Sequence, residues 1–132
     1  MGASTTNVFF IWDVRDELRE YIVDGLADMK GVNLIFPQSS NEEEYIEYAS
    51  DADIIVGWRP SENLLEIAQN LRLHINPGAG VQHLLDKFRS LDPSRNITLV
   101  NGHGNSYFTA QHAVALLLAL TNKIVPHHNW MT

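Results

Sequence analysis

Along the chain, short apolar runs alternate five times with stretches whose apolar residues recur three and four positions apart. Val8-Phe9-Phe10-Ile11-Trp12 is continuous and apolar up to Asp13, the pattern of a strand buried on both faces. Asp16 is placed to cap the next helix, whose Leu18, Tyr21, Ile22, Leu26 and Met29 fall at helical spacing, with Gly31 ending it. Val32-Asn33-Leu34-Ile35-Phe36 reads as the second strand, closed by Pro37. Asn41 then caps an acidic helix through Tyr48, with Glu42, Glu43 and Glu44 in the first turn, where the macrodipole favours them.

The third strand is Ile54-Ile55-Val56, and Ser61 caps a helix carrying Leu64, Leu65, Ile67 and Ala68. Leu71-Arg72-Leu73-His74-Ile75 is a fourth strand, alternating enough to lie near an edge or under a polar residue. The glycine-rich turn Asn76-Pro77-Gly78-Ala79-Gly80 leads into a helix from about Val81 to Phe88. Ile97-Thr98-Leu99-Val100 is the fifth strand, followed by a second glycine-rich turn and a last helix from about Phe108 to Lys123. Parallel neighbours need crossovers, and crossovers cover both faces of a sheet. The pattern therefore predicts an α/β, flavodoxin-like doubly wound parallel five-stranded sheet of order 2-1-3-4-5, with a protruding C-terminal helix. Ligands of such sheets gather at the carboxyl ends of the strands, here the loops after Trp12, Phe36, Val56, Ile75 and Val100.

Composition narrows the chemistry. The 132 residues are 45% apolar and 19% charged, enough for one domain with a real core. There is no cysteine, which removes disulfides, thiolate metal sites and thiol nucleophiles. Nine Lys and Arg against sixteen Asp and Glu give a charge of −7, so no nucleic-acid partner is expected. The opening Met1-Gly2-Ala3-Ser4-Thr5-Thr6 is polar and uncharged, and the apolar run Ala113–Leu120 is shorter than the roughly 20 residues of a bilayer span. No membrane partner and a cytoplasmic location are expected.

Asp13 and Asp16 after the first strand would repel a flavin phosphate, and read first as capping and solubilising residues. A phospho-acceptor receiver would need an Asp after the third strand and a Lys after the fifth, where Gly57-Trp58 and Asn101-Gly102 stand. Gly78-Ala79-Gly80 and Gly102-His103-Gly104 each begin G-x-G-x-x but lack the third glycine, and neither is followed by the acidic residue that takes a ribose hydroxyl. A dinucleotide motif is absent, so no cofactor is expected on this chain alone. Gly78, Ala79 and Gly80 can instead bring bare backbone amides to a carboxylate or phosphate, or form a tight turn with no ligand. Arg59, beside Trp58, would complete a carboxylate clamp if it is more than a surface cation. Asn105 and Ser106 either cap the last helix or hydrogen-bond a polar ligand. His74, His83, His103, His112, His127 and His128 show no zinc spacing and read as structural or surface residues. From Ala113 to Leu120 every residue is apolar, so one sheet covers only a stripe of that helix, and a partner chain or a second domain must cover the rest.

Taken together, the run from Asp51 to His112 resembles the N-terminal substrate-binding portion of the D-isomer-specific 2-hydroxyacid dehydrogenases. The pieces are Ala52-Asp53-Ile54-Ile55-Val56, Leu71–Ile75 leading into Gly78-Ala79-Gly80-Val81, Val100-Asn101, and Asn105-Ser106 with Thr109-Ala110-Gln111-His112 and the apolar helix. The resemblance implies a substrate-binding lobe over 1–107 and, over 108–132, a crossover helix toward an NAD-binding Rossmann domain absent from this sequence. It also implies that the catalytic Arg, Glu and His lie in that absent part. The backbone at Ala79 and Gly80 would hold the carboxylate of a small 2-hydroxy or 2-oxo acid, with Gly78, Trp58, Arg59 and Asn105 as the other substrate-site residues. NAD or NADP would serve the full-length parent, and this chain alone would be inactive. Asn105-Ser106 and Val125–Trp130 look closest to the formate dehydrogenase branch, while Gln82 and Gln111 replace the family's usual Asp and Glu. The alternative from another class is a stand-alone, non-catalytic module that binds a small anion or dimerises. Under either reading a homodimer through Ala113–Leu120 is expected.

Overall fold

The computed structural model describes residues 5–132, so the polar opening over 1–4 lies outside the described residues. The chain divides into two compact units, one through Gly102 and the other from His103 to Thr132. The first carries β1 (Thr6–Phe10), α1 (Asp16–Gly25), β2 (Val32–Ile35), α2 (Glu42–Ala49), β3 (Ile54–Val56), α3 (Glu62–Ile67), β4 (Leu73–Asn76), α4 (Gln82–Ser90) and β5 (Thr98–Asn101). All neighbouring strands are parallel, and the order is β2-β1-β3-β4-β5, as the sequence pattern predicts.

Phe9, Ile55 and His74 are register partners across β1, β3 and β4 and therefore share one face. That face holds the main core, in which Phe9 and Ile55 pack with Ala49, Ala52, Leu64, Leu65, Ala68 and Leu71. Tyr45 and Tyr48 of α2 each set a ring 5.8 Å from Phe9. The caps that close α2 and α3 are those the sequence indicates: Asn41 accepts from the Glu43 amide at 3.2 Å, and Ser61 from the Leu64 amide at 3.1 Å. Arg95, in a short turn before β5, donates to the carbonyls of Leu65 and Ala68 and so satisfies the last turn of α3.

Several boundaries differ from expectation. Asp16 is the first residue of α1 rather than its cap; Arg15 holds the cap position, with no side-chain cap hydrogen bond. Gly31 does not end α1, which stops at Gly25. It stands instead at φ 79°, in the turn whose carbonyl accepts the Thr6 amide at 2.7 Å. The expected cover on both faces is met mainly on the α2–α3 side: α1 buries none of its residues, and its Leu18, Tyr21 and Val23 are exposed.

The second unit consists of α5 (Ser106–Thr121) and α6 (Ile124–Met131). The periodicity predicts one helix ending near Lys123, but Lys123 adopts φ 51°, a left-handed break, and a second helix follows. Asn122 donates back to the Leu118 carbonyl at 2.9 Å at the end of α5. Among the described residues no single helix is long and apolar enough to cross a membrane; only α5 and α6 together, bent by 57°, reach that length and apolarity.

Candidate functional site

Asparagine ends β4 and asparagine ends β5, and the two are register partners. Asn76 is fully buried. Its Nδ2 donates to the carbonyls of Gly78 at 2.6 Å and Gly80 at 3.1 Å. Asn101 Nδ2 donates to the carbonyl between them, that of Ala79, at 2.6 Å. Both neighbours of the Asn76 amide nitrogen are acceptors, so the opposite flip would set carbonyl against carbonyl. Its Oδ1 is then left buried without a partner, a cost on the order of 1–3 kcal/mol accepted to hold the loop.

Two glycines make the surrounding backbone pack this tightly. A Cβ on Gly102 would lie 2.6 Å from the Pro77 carbonyl oxygen, and the Gly102 amide donates to the Asn76 carbonyl at 2.9 Å. Gly57 has φ +156°, and a Cβ there would lie 2.2 Å from Ile11 Cγ1. The Gly57 amide donates to the Ile75 carbonyl at 2.9 Å.

The Gly57 carbonyl accepts from His74 Nε2 at 3.1 Å. A carbonyl cannot donate, so Nε2 carries the proton and Nδ1, buried and unpartnered, is the bare nitrogen. His74 has no exposed surface, and its ring lies 5.1 Å from that of Phe88. Burial pushes its pKa from 6.5 down to about 4, with the bond to Gly57 opposing the shift and the nearby His83 adding to it. The ring is neutral and structural.

Aromatic rings line the same edge. Phe36 stacks on Phe10 at 4.6 Å, Phe10 meets Trp12 at 5.4 Å, and Trp12 meets Trp58 edge-on at 5.0 Å. Trp58 is 42% exposed, and a Cβ on Gly78 would lie 3.1 Å from its Nε1. His83 Nε2 donates to the Trp58 carbonyl at 2.7 Å, tying α4 to the loop after β3.

No protein-family model and no curated protein matches this sequence. Solved structures do resemble it. A D-isomer specific 2-hydroxyacid dehydrogenase family protein from Klebsiella pneumoniae 342 matches 100% of the chain at TM-score 0.64 and 20% identity. A phosphoglycerate oxidoreductase from Vibrio cholerae O395 matches 87% of it at TM-score 0.54 and 20% identity. The chain shares their fold. It spans 40% and 36% of the length of those two proteins.

Of the residues singled out in the sequence, the structure brings Trp58 against Gly78 and sets Ala79 and Gly80, both exposed, beside them. Arg59 is exposed and lines a separate small cavity of about 190 Å³ with Ser40, Glu42 and Tyr45. Asn105 belongs to the second unit, at the cap position of α5, where its side chain makes no cap hydrogen bond and its carbonyl accepts from Thr109. Simple side-chain capping by Asn105 or Ser106 is therefore not observed; Ser106 is the first residue of α5 itself. Among the described residues no group of three or more His, Asp or Glu could hold a metal ion. Sequence reasoning passed over Asn76, Asn101 and Gly57 as site residues. The repeated strand-Asn-(Pro)-Gly pattern at the ends of β4 and β5 was the available signal for the two asparagines.

Proposed function

We propose that this chain is the substrate-binding part of an NAD(P)-dependent D-2-hydroxyacid dehydrogenase and that Ala79 and Gly80 receive the carboxylate of a small 2-hydroxy or 2-oxo acid. The observation that carries this reading is the glycine loop: it stands at the carboxyl end of β4, with its carbonyls tied down and, among the described residues, no protein acceptor on the Ala79 and Gly80 amides. Exposed backbone amides left without an acceptor can attract a small anion even on an acidic protein, because the field that matters is local. Trp58, 42% exposed beside Gly78, would offer an apolar surface to the carbon skeleton of such an acid.

The nicotinamide supplies hydride chemistry in such enzymes, and this chain's glycine turns do not fit it. The first turn has its carbonyls bonded to asparagine and Trp58 against Gly78, and the second is closed where Gly102 meets the Pro77 carbonyl. No step of hydride transfer is therefore assigned to residues of this chain; they bind and orient. Cofactor binding and the catalytic acid or base belong, on this proposal, to a nucleotide-binding domain.

Calorimetric titration tests the assignment. The chain is expected to bind glyoxylate or glycerate weakly and saturably, to bind no NAD, and to show no turnover. Tight NAD binding, or no heat with any 2-hydroxy or 2-oxo acid, would contradict it.

Helix α5 supports a further part of the reading, a homodimer. Its Leu116, Leu117, Leu118 and Leu120 are all more than half exposed, with Leu120 at 76%. A patch of this kind on a lone protein is a site of association. In sedimentation velocity at rising concentration the chain is expected to move as a dimer and Leu120→Glu as a monomer. A wild-type chain that stays monomeric at every concentration would remove the dimer from the account.

A further inference from the structure

Three consecutive carbonyls, those of Gly78, Ala79 and Gly80, are each held by a side-chain amide from the end of a neighbouring strand. The chain contains no cis peptide among its described residues. In a planar trans peptide the C=O of one residue and the N–H of the next point in opposite directions. Pinning the carbonyls of Gly78, Ala79 and Gly80 toward the asparagines therefore turns the N–H groups of Ala79, Gly80 and Val81 the other way. Among the described residues those three amides meet no protein acceptor. A free loop of this composition would sample many orientations, since glycine restricts the backbone least.

We infer that Asn76 and Asn101 are positioning residues: as an in-register pair at the ends of β4 and β5, they clamp the glycine loop so that its amides are preorganised to receive an anion. This rests on the carboxylate reading proposed above and adds to it the residues that set the geometry. Neither asparagine touches the ligand. Each acts through the loop, and their contributions differ. Asn76 holds two carbonyls from within the core, whereas Asn101 holds the central one from an exposed position. The Gly102 amide bond to the Asn76 carbonyl locks the two strand ends to each other, which keeps the two side chains in step. Preorganisation of this kind raises affinity by removing the ordering cost at the moment of binding.

The test uses Asn101, whose exposure lets it be changed with the fold kept. Residual dipolar couplings of the Ala79, Gly80 and Val81 N–H vectors are measured in the ligand-free chain, and glyoxylate is then titrated while their amide resonances are followed. In Asn101→Ala the Gly80 coupling is expected to change, because its N–H shares a peptide plane with the Ala79 carbonyl, and glyoxylate affinity is expected to fall about tenfold. Asn101→Gln, which keeps the donor, should recover part of both. Should the alanine variant lose resonance dispersion, Asn101→Asp, equal in size and without a donor, gives the same coupling readout. Unchanged couplings in the donor-less variant would overturn the clamp, even if glyoxylate binds. Changed couplings with no glyoxylate response in the wild-type chain would leave the clamp standing and remove the carboxylate reading instead.

Discussion

Replacing Gly57 with alanine is expected to destabilise the chain by roughly 2–5 kcal/mol, a large share of the 5–15 kcal/mol typical of a domain. The added methyl would sit 2.2 Å from Ile11 Cγ1 and 2.9 Å from its Cδ1, and Ile11 is itself buried in the core cluster. The backbone at φ +156° adds strain for any L side chain. Ile11 cannot swing away without opening the contact between β1 and the α2–α3 layer. Its amide, bonded to the Val56 carbonyl at 2.9 Å, also fixes its backbone. Urea unfolding reads the effect as a lower midpoint at unchanged slope. Gly25→Ala is the control: nothing lies within 4 Å of its Cβ position, and it ends a helix, so it should be neutral or stabilising by up to about 1 kcal/mol. Equal midpoints for Gly57→Ala and wild type would show that the loop after β3 does not press on Ile11, and the placement of Trp58 would fall with it.

The second large effect is a loss of stability in mild acid. His74 has a folded-state pKa of about 4 against 6.5 for the free side chain, so the unfolded chain binds the proton more readily. Its contribution is complete above pH 6.5 and is lost progressively as pH falls toward 4. The full loss is on the order of 3 kcal/mol, since the ring has no exposed surface to share the charge with water. Two carboxylates act in a different window. Glu44 is held below its usual value of 4.5 by the Ser39 hydroxyl and the Gln38 amide, and Asp92 below 3.8 by the Ser94 amide. Their contributions are present above those values and are lost only below them. Unfolding free energies measured between pH 7 and 4.5 therefore isolate His74. The decline should vanish in His74→Leu, whatever that variant's absolute stability. A wild-type stability that stays level from pH 7 to 4.5 would show that the buried ring accepts a proton in place.

Much of the fold was legible because the pattern that specifies it is local. Continuous apolar runs such as Val8–Trp12 and Ile54–Val56 mark strands, and Asn41 and Ser61 mark helix starts through bonds that span only two or three residues. The misread ends have equally local causes. A positive φ at Lys123 has no compositional signal, and Asp16 offered a plausible cap one position late. The site was legible in part. Gly78-Ala79-Gly80 announces a bare backbone, but its central carbonyl is held by Asn101, twenty-two residues along the chain from Ala79. That contact exists only once β4 and β5 are in register, and register is a property of the sheet rather than of either strand. Gly57 is similar: its need for hydrogen in place of a side chain comes from Ile11, on another strand's exit loop. Residues that hold a site in shape through distant packing leave little trace in a single sequence, whereas those that expose backbone do.

On the proposed function, a 2-hydroxy or 2-oxo acid places its carboxylate on the amides of the loop after β4. A crystal structure of this chain with glyoxylate addresses it most directly. The carboxylate oxygens are expected within about 2.7–3.1 Å of the Ala79 and Gly80 amide nitrogens, beside the Trp58 indole, with the Asn76 and Asn101 bonds to the loop intact. Glyoxylate seated elsewhere, or a loop whose carbonyls turn outward to leave those amides unavailable, would contradict the account.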